Sequence, residues 1–177
     1  MKSINDKDKM DVCLASDDAS GVMDVRRFLL DYAVKREVPE ECVIETFLGD
    51  CYALTKRHQT LSSTLDELNC SFALIKESNE YRGRVTDYNL DKIRHKMDKV
   101  TADLIYVISK LETRIIKATK LISFLPDPEM KVVLELHYLE GLSLVEIREK
   151  GRLYYGRTKT NGLHRAGLMK LHEIMEL

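Results

Sequence analysis

Residues 126–172 read PDPEMKVVLELHYLEGLSLVEIREKGRLYYGRTKTNGLHRAGLMKLH. Pro126 to Glu129 stop one helix and start the next: Asp127 can cap, Pro128 fits a first turn, and Glu129 complements the positive end of the helix dipole. Val132, Val133, Leu136 and Leu139 then share an apolar face, with Leu134 and Tyr138 beside it. Gly141 closes that helix, because glycine accepts the left-handed conformation of a helix C-terminus. Ser143-Leu144-Val145-Glu146 is a capping box, in which hydroxyl and carboxylate each serve the other residue's amide. Leu142 and Ile147 stand where a hydrophobic staple is expected. Gly151 stops the helix about two turns later, and Leu153 to Gly156 turn the chain into a third helix. Leu163, Leu168, Leu171 and Ile174 return that helix to the core. Helix, tight glycine turn, short capped helix, turn and longer basic helix is the plan of a helix-turn-helix.

Upstream, helical periodicity continues. Ile93, Met97, Val100, Leu104, Val107 and Leu111 step by four and three, and Ala118, Leu121 and Leu125 resume the register. This is the period of a coiled-coil seam, on a helix expected over 90–125 and roughly 50 Å long at 1.5 Å per residue. Ile105, Ile108, Ile115 and Ile122 add a second stripe that also needs a partner. Leu61, Leu65, Leu68, Phe72 and Ile75 form a matching seam on a helix ending near Ser78, with 81–88 as a connecting loop. The two seams pair as an antiparallel hairpin, or the long helix pairs with a second copy of the chain. Before them, Val43, Ile44, Phe47, Leu48, Cys51 and Leu54 repeat at helical spacing behind Pro39, and residues 22–37 form a short amphipathic helix. Residues 1–21 are polar and without sustained period, and are expected to be a disordered lead that Gly21 closes.

The expected fold is therefore all-α: a helical, coiled-coil-like region over 22–125, then a three-helix helix-turn-helix domain over 126–177. Three prolines, eight glycines and no tryptophan in 177 residues suit long helices, and 44% hydrophobic with 32% charged residues suits a globular chain. No run of about eighteen apolar residues predicts a membrane span, and residues 1–20 lack a signal-peptide core. Cys13, Cys42, Cys51 and Cys70 contain no CxxC pair, so reduced thiols are expected rather than zinc or disulfides. A cytoplasmic location and no cofactor follow as expectations.

The net charge of −1 hides a local excess. Arg148, Lys150, Arg152, Arg157, Lys159, Arg165 and Lys170 lie between 148 and 172, opposed only by Glu149. Such an excess suits phosphate binding, with Arg148, Lys150 and Arg152 as candidate phosphate contacts. Arg157, Thr158, Lys159, Asn161 and Arg165 open the third helix, whose N-terminal residues reach base edges in such motifs. Arginine suits guanine there and asparagine suits adenine.

Residues 134–147 (LELHYLEGLSLVEI) resemble the opening of region 4 of the sigma-70 class of RNA polymerase factors, and 163–171 (LHRAGLMKL) resemble its close. With the long helix before them, they resemble more narrowly the sigma-like regulators encoded by phages of Gram-positive bacteria. The likeness is good over 129–172 and loose over 60–175. It implies a phage or prophage regulator that binds double-stranded promoter DNA at late or morphogenesis operons and touches RNA polymerase. The chain departs from the family at four points. The turn at 151–155 is about two residues longer, Gly156 replaces the usual serine or threonine, Thr160 replaces a branched apolar residue, and Gly162 weakens the helix by about 1 kcal/mol relative to alanine.

His58, His95, His137, His164 and His172 have neither metal spacing nor a motif-linked nucleophile, and His164 reads as a packing residue. Tyr154 and Tyr155 read as turn packing. Lys76, Arg82, Arg84, Lys92, Arg94, Lys96 and Lys99 alternate with acids, as a solvated surface does. No glycine-rich phosphate loop, GxSxG or HExxH occurs, so no enzyme is expected. Two rivals to the DNA-binding regulator stand: a helical adaptor that binds polymerase or another regulator, and a phage small DNA-packaging subunit that oligomerises through the long helix.

Overall fold

The computed structural model describes the backbone of residues 6–82, 87–150 and 155–177, and the side chains of 20–77, 90–149 and 155–177. Six helices follow in order: α1 (Asp6–Arg36), α2 (Val43–Arg82), α3 (Asp87–Ser123), α4 (Pro128–Leu134), α5 (Leu144–Lys150) and α6 (Arg157–Met175). A 3-10 turn (Glu40–Cys42) precedes α2, and a π segment (Glu135–Leu139) continues α4. The described residues are all-helical, with no strand. No helix among them is long and apolar enough to cross a membrane.

The chain divides into two compact units. One joins the N-terminal part through Tyr52 to Ile115–Leu177; the other is Ala53–Arg114. The division differs from the boundary expected between 125 and 126. Val25 and Leu29 of α1, Ile44, Phe47 and Leu48 of α2, Leu121, Ile122 and Leu125, and Leu134, Leu171 and Met175 belong to one buried core. Three short helices bury too little apolar surface alone, so the flanking helices complete their core. The lead is also different from expectation, since α1 is helical from Asp6 onward; residues 1–5 lie outside the described residues. Met10, Leu14, Ala15 and Ala19 are good helix formers without an intervening proline. Gly21 lies inside α1, where an added Cβ would stand 3.1 Å from Cε of Lys120.

Helix ends in this unit have local causes. α1 stops at Glu37, which adopts φ 55°, and the Val38 amide donates to the Ala33 carbonyl at 3.0 Å before Pro39 prevents continuation. Asp127 caps α4, its Oδ1 accepting from the Glu129 amide at 2.8 Å, with Pro128 in the first turn. The π segment ends at Gly141 (φ 72°), where the Leu142 amide reaches back to the Leu136 carbonyl at 3.0 Å. The capping box of α5 is complete: the Ser143 amide donates to Glu146 at 2.9 Å, and the Glu146 amide donates to the Ser143 hydroxyl at 3.2 Å. α6 starts at Gly156 without a side-chain cap and ends with Glu176 at φ 51°. There Arg26 of α1 meets both the Glu176 carboxylate (2.9 Å) and its carbonyl (3.2 Å), a cation at the negative end of a helix.

Aromatic packing centres on fully buried Phe47, edge-on to Phe28 (centroids 5.3 Å) and to Tyr32 (5.4 Å). Tyr32 donates to Asp50 at 2.6 Å, and Arg36 pairs with the same carboxylate at 2.7 Å. α4 and α5 both pack on α6. Gly167 makes the close approach to α4: a Cβ there would stand 3.1 Å from Cδ1 of Leu134.

The second unit is a helical hairpin-like pair. Leu61, Leu65, Leu68, Phe72 and Ile75 of α2 are half-buried, as are Ile93, Met97, Val100 and Leu104 of α3, while Val107 and Leu111 are buried. Arg94 lies over the Phe72 ring at 5.7 Å. The second isoleucine stripe is not covered along its length, for Ile105 is 64% exposed beside Tyr106 at 58%. Of the loop expected over 81–88, residues 81–82 instead end α2 and 87–88 begin α3, because no proline breaks either helix there; 83–86 lie outside the described residues.

Candidate nucleic-acid interface

α6 has two faces. Thr160, Gly167, Leu168, Leu171 and Met175 are buried, because they recur at the spacing that keeps one stripe of a helix toward the core. Arg157, Thr158, Lys159, Asn161 and Arg165 are all exposed. Arg157, Asn161 and Arg165 follow one another at every fourth position, so they form one outward row. Neither arginine has an ion-pair partner among the described residues. The structure thus brings three of the five candidate base-contacting residues into line, with Thr158 adjacent.

Lys159 is held differently. Its ammonium is 3.0 Å from Oε1 of Glu129 and 3.8 Å from the centroid of the Tyr155 ring. Tyr155 donates its hydroxyl to the same Oε1 at 2.5 Å. These hydrogen bonds, from Tyr155 first and Lys159 second, lower the carboxyl pKa of Glu129, and its carboxylate raises that of Lys159 and of Tyr155. The sequence offered no signal for this trio, since Glu129 reads as a helix-dipole residue and lies 30 positions from Lys159.

Of the expected phosphate contacts, Arg148 is half-buried on α5, and its Nε donates to the Leu144 carbonyl at 3.3 Å. The Lys150 side chain and Arg152 lie outside the described residues, as do Tyr154 and most of the lengthened turn. Lys170 pairs with Glu173 at 2.6 Å.

Beneath the outward row, α6 is anchored by aromatic rings. His137 packs near Tyr52 (4.8 Å), Tyr138 (4.6 Å) and His164 (5.1 Å), and Tyr138 stacks on His164 at 5.5 Å. His137 donates from Nδ1 to the Leu142 carbonyl at 2.6 Å, because a carbonyl can only accept. Burial lowers the pKa of His137, partly offset by that bond. Burial, and then the neighbouring His137, lower the pKa of His164 to about 4. Burial also pushes Tyr138 up to about 12, and its hydroxyl is hydrogen-bonded to Nε2 of His164 at 3.0 Å. His164 is thus a packing residue with a defined hydrogen bond.

This cluster makes stability depend on pH. The unfolded chain takes up these histidine protons near the ordinary value of about 6.5, whereas folded His164 resists until about 4. The unfolded state therefore binds more protons in that window, and stability falls as pH drops from 6.5 toward 4. We expect Tm to fall over that range, and His164→Gln, which keeps a hydrogen-bonding partner for Tyr138, to fall less steeply. Parallel Tm profiles for the two proteins would contradict this assignment.

Among the described residues no three of histidine, cysteine, aspartate and glutamate are grouped to hold a metal. Cys42, Cys51 and Cys70 form no disulfide among the described residues. Compared with protein-family models, curated proteins and solved structures, the chain matches none of them.

Proposed function

We propose that α4, α5 and α6 form a helix-turn-helix that binds double-stranded DNA, with α6 as the recognition helix. The observation that carries this reading is the row of Arg157, Asn161 and Arg165 on the exposed face of a helix whose other face is buried. An α-helix fits the major groove, where guanidinium groups pair with guanine and a carboxamide with adenine. Successive row positions rise about 6 Å, close to two base-pair steps, so neighbouring side chains can address neighbouring bases. By its resemblance to sigma-70 region 4, the protein acts in the cytoplasm as a promoter-binding regulator of phage or prophage type that meets RNA polymerase. Fluorescence anisotropy with labelled duplex over a range of salt concentrations tests the reading. Affinity should fall steeply and linearly in log–log form as phosphate contacts release counterions. Absence of duplex binding even at low salt would remove the proposal.

One observation favours a second reading, an adaptor that recognises another protein. Ile105 and Tyr106 are exposed next to each other on the hairpin, and exposed apolar patches mark protein contacts. Retention of polymerase on immobilised protein without DNA, together with no retention of duplex, would favour it.

A further inference from the structure

Resting on the DNA-binding reading, we infer that the Glu129 carboxylate is an internal stand-in for a DNA phosphate, holding Lys159 until a duplex takes its place. Lys159 belongs to the first turn of α6, beside Arg157 and Thr158, where the candidate surface meets its ligand. Its partner is an oxygen anion at 3.0 Å, and a phosphate oxygen offers the same ammonium the same kind of acceptor. Both side chains remain open to solvent, Lys159 at 48% and Glu129 at 42%. An incoming phosphate can therefore reach the ammonium without unpacking the core. Arg157 and Arg165 have no such partner among the described residues, so of the three candidate base-contacting cations on α6 two are unpaired there and one is occupied.

The exchange leaves the carboxylate satisfied in part. Tyr155 donates to the oxygen that Lys159 leaves, at 2.5 Å, and its ring supports the ammonium in the resting arrangement at 3.8 Å. Tyr155 thus holds Glu129 in place while the lysine moves. Lys159 then adds to affinity only once the helix is close enough for a phosphate to outcompete the carboxylate. That makes Glu129 a positioning residue whose charge opposes loose binding.

Duplex titrations of the full chain test this as a double-mutant cycle. Glu129→Gln keeps an acceptor for Tyr155 and removes the charge that occupies Lys159. It should tighten duplex binding about two- to fivefold, the scale of an exposed ion pair, and Glu112→Gln, an equal change of net charge at an exposed position of α3, should tighten it less. In a Lys159→Met background, Glu129→Gln should have no effect beyond that of Glu112→Gln. Lys159→Met alone should flatten the salt dependence by about one phosphate contact, a readout independent of how Glu129→Gln folds. The inference is overturned if Glu129→Gln weakens binding, if its tightening persists without Lys159, or if Lys159→Met leaves the salt slope unchanged. In each of those cases wild-type binding would still stand. Failure of the wild type to bind duplex would instead remove the DNA-binding reading and this inference with it.

Discussion

Replacing Arg157 and Arg165 together by alanine is expected to weaken duplex binding by about 2–6 kcal/mol, at roughly 1–3 kcal/mol for each base-contacting arginine. Binding would then drop by one to several orders of magnitude at fixed salt, since about 1.4 kcal/mol is tenfold. The same change should leave thermal stability almost untouched. Both side chains are exposed, they carry no ion pair among the described residues, and surface substitutions of this kind stay within about 0.5 kcal/mol. Anisotropy titration alongside a thermal melt separates the two effects. Unchanged affinity would show that the row is a solvated face and nothing more. Arg157 and Arg165 are the informative pair because Lys159 is engaged by Glu129 at rest, so its removal mixes loss of a contact with release of a carboxylate.

Phe47→Ala is expected to cost about 3–5 kcal/mol of folding stability. Phe47 is fully buried and meets two aromatic rings edge-on, and such pairs add about 0.5–1.5 kcal/mol beyond area burial. The site lies on α2, far along the chain from the candidate interface, yet the same buried core takes in Leu134 and Leu171. The variant should therefore lose duplex binding together with helical signal on heating, at a melting temperature lowered by on the order of 10 °C. Leu74→Ala supplies the contrast, since Leu74 is 67% exposed and should cost little. A Phe47→Ala protein that melts like the wild type would mean that α4–α6 carry their own core, as residues 126–177 alone suggested.

Local signals were the most legible part of the sequence. The Asp127 cap, the Gly141 stop and the Ser143–Glu146 box all take the form their residue types predict, because each is settled within a few residues of chain. The seams of the hairpin were legible for a similar reason, as a repeat of three and four leaves one face apolar. Long-range pairing was not legible. Nothing in Val25, Leu29 or Phe47 says that they share one buried core with residues beyond 115, and apolar faces carry no address. The charge trio of Glu129, Tyr155 and Lys159 escaped for the same reason, its members being 26 and 30 positions apart. α1 was underestimated because polar, charge-alternating residues can be helical without an apolar stripe of their own.

Selection from a random pool of double-stranded DNA at near-physiological salt, with the wild type and Arg157→Ala/Arg165→Ala in parallel, tests the central claim most directly. The wild type should enrich one short motif containing guanine and adenine in the major-groove register of the α6 row, and the double variant should enrich none. Recovery of an unenriched pool by the wild type, or the same motif from both proteins, would contradict recognition of DNA by α6.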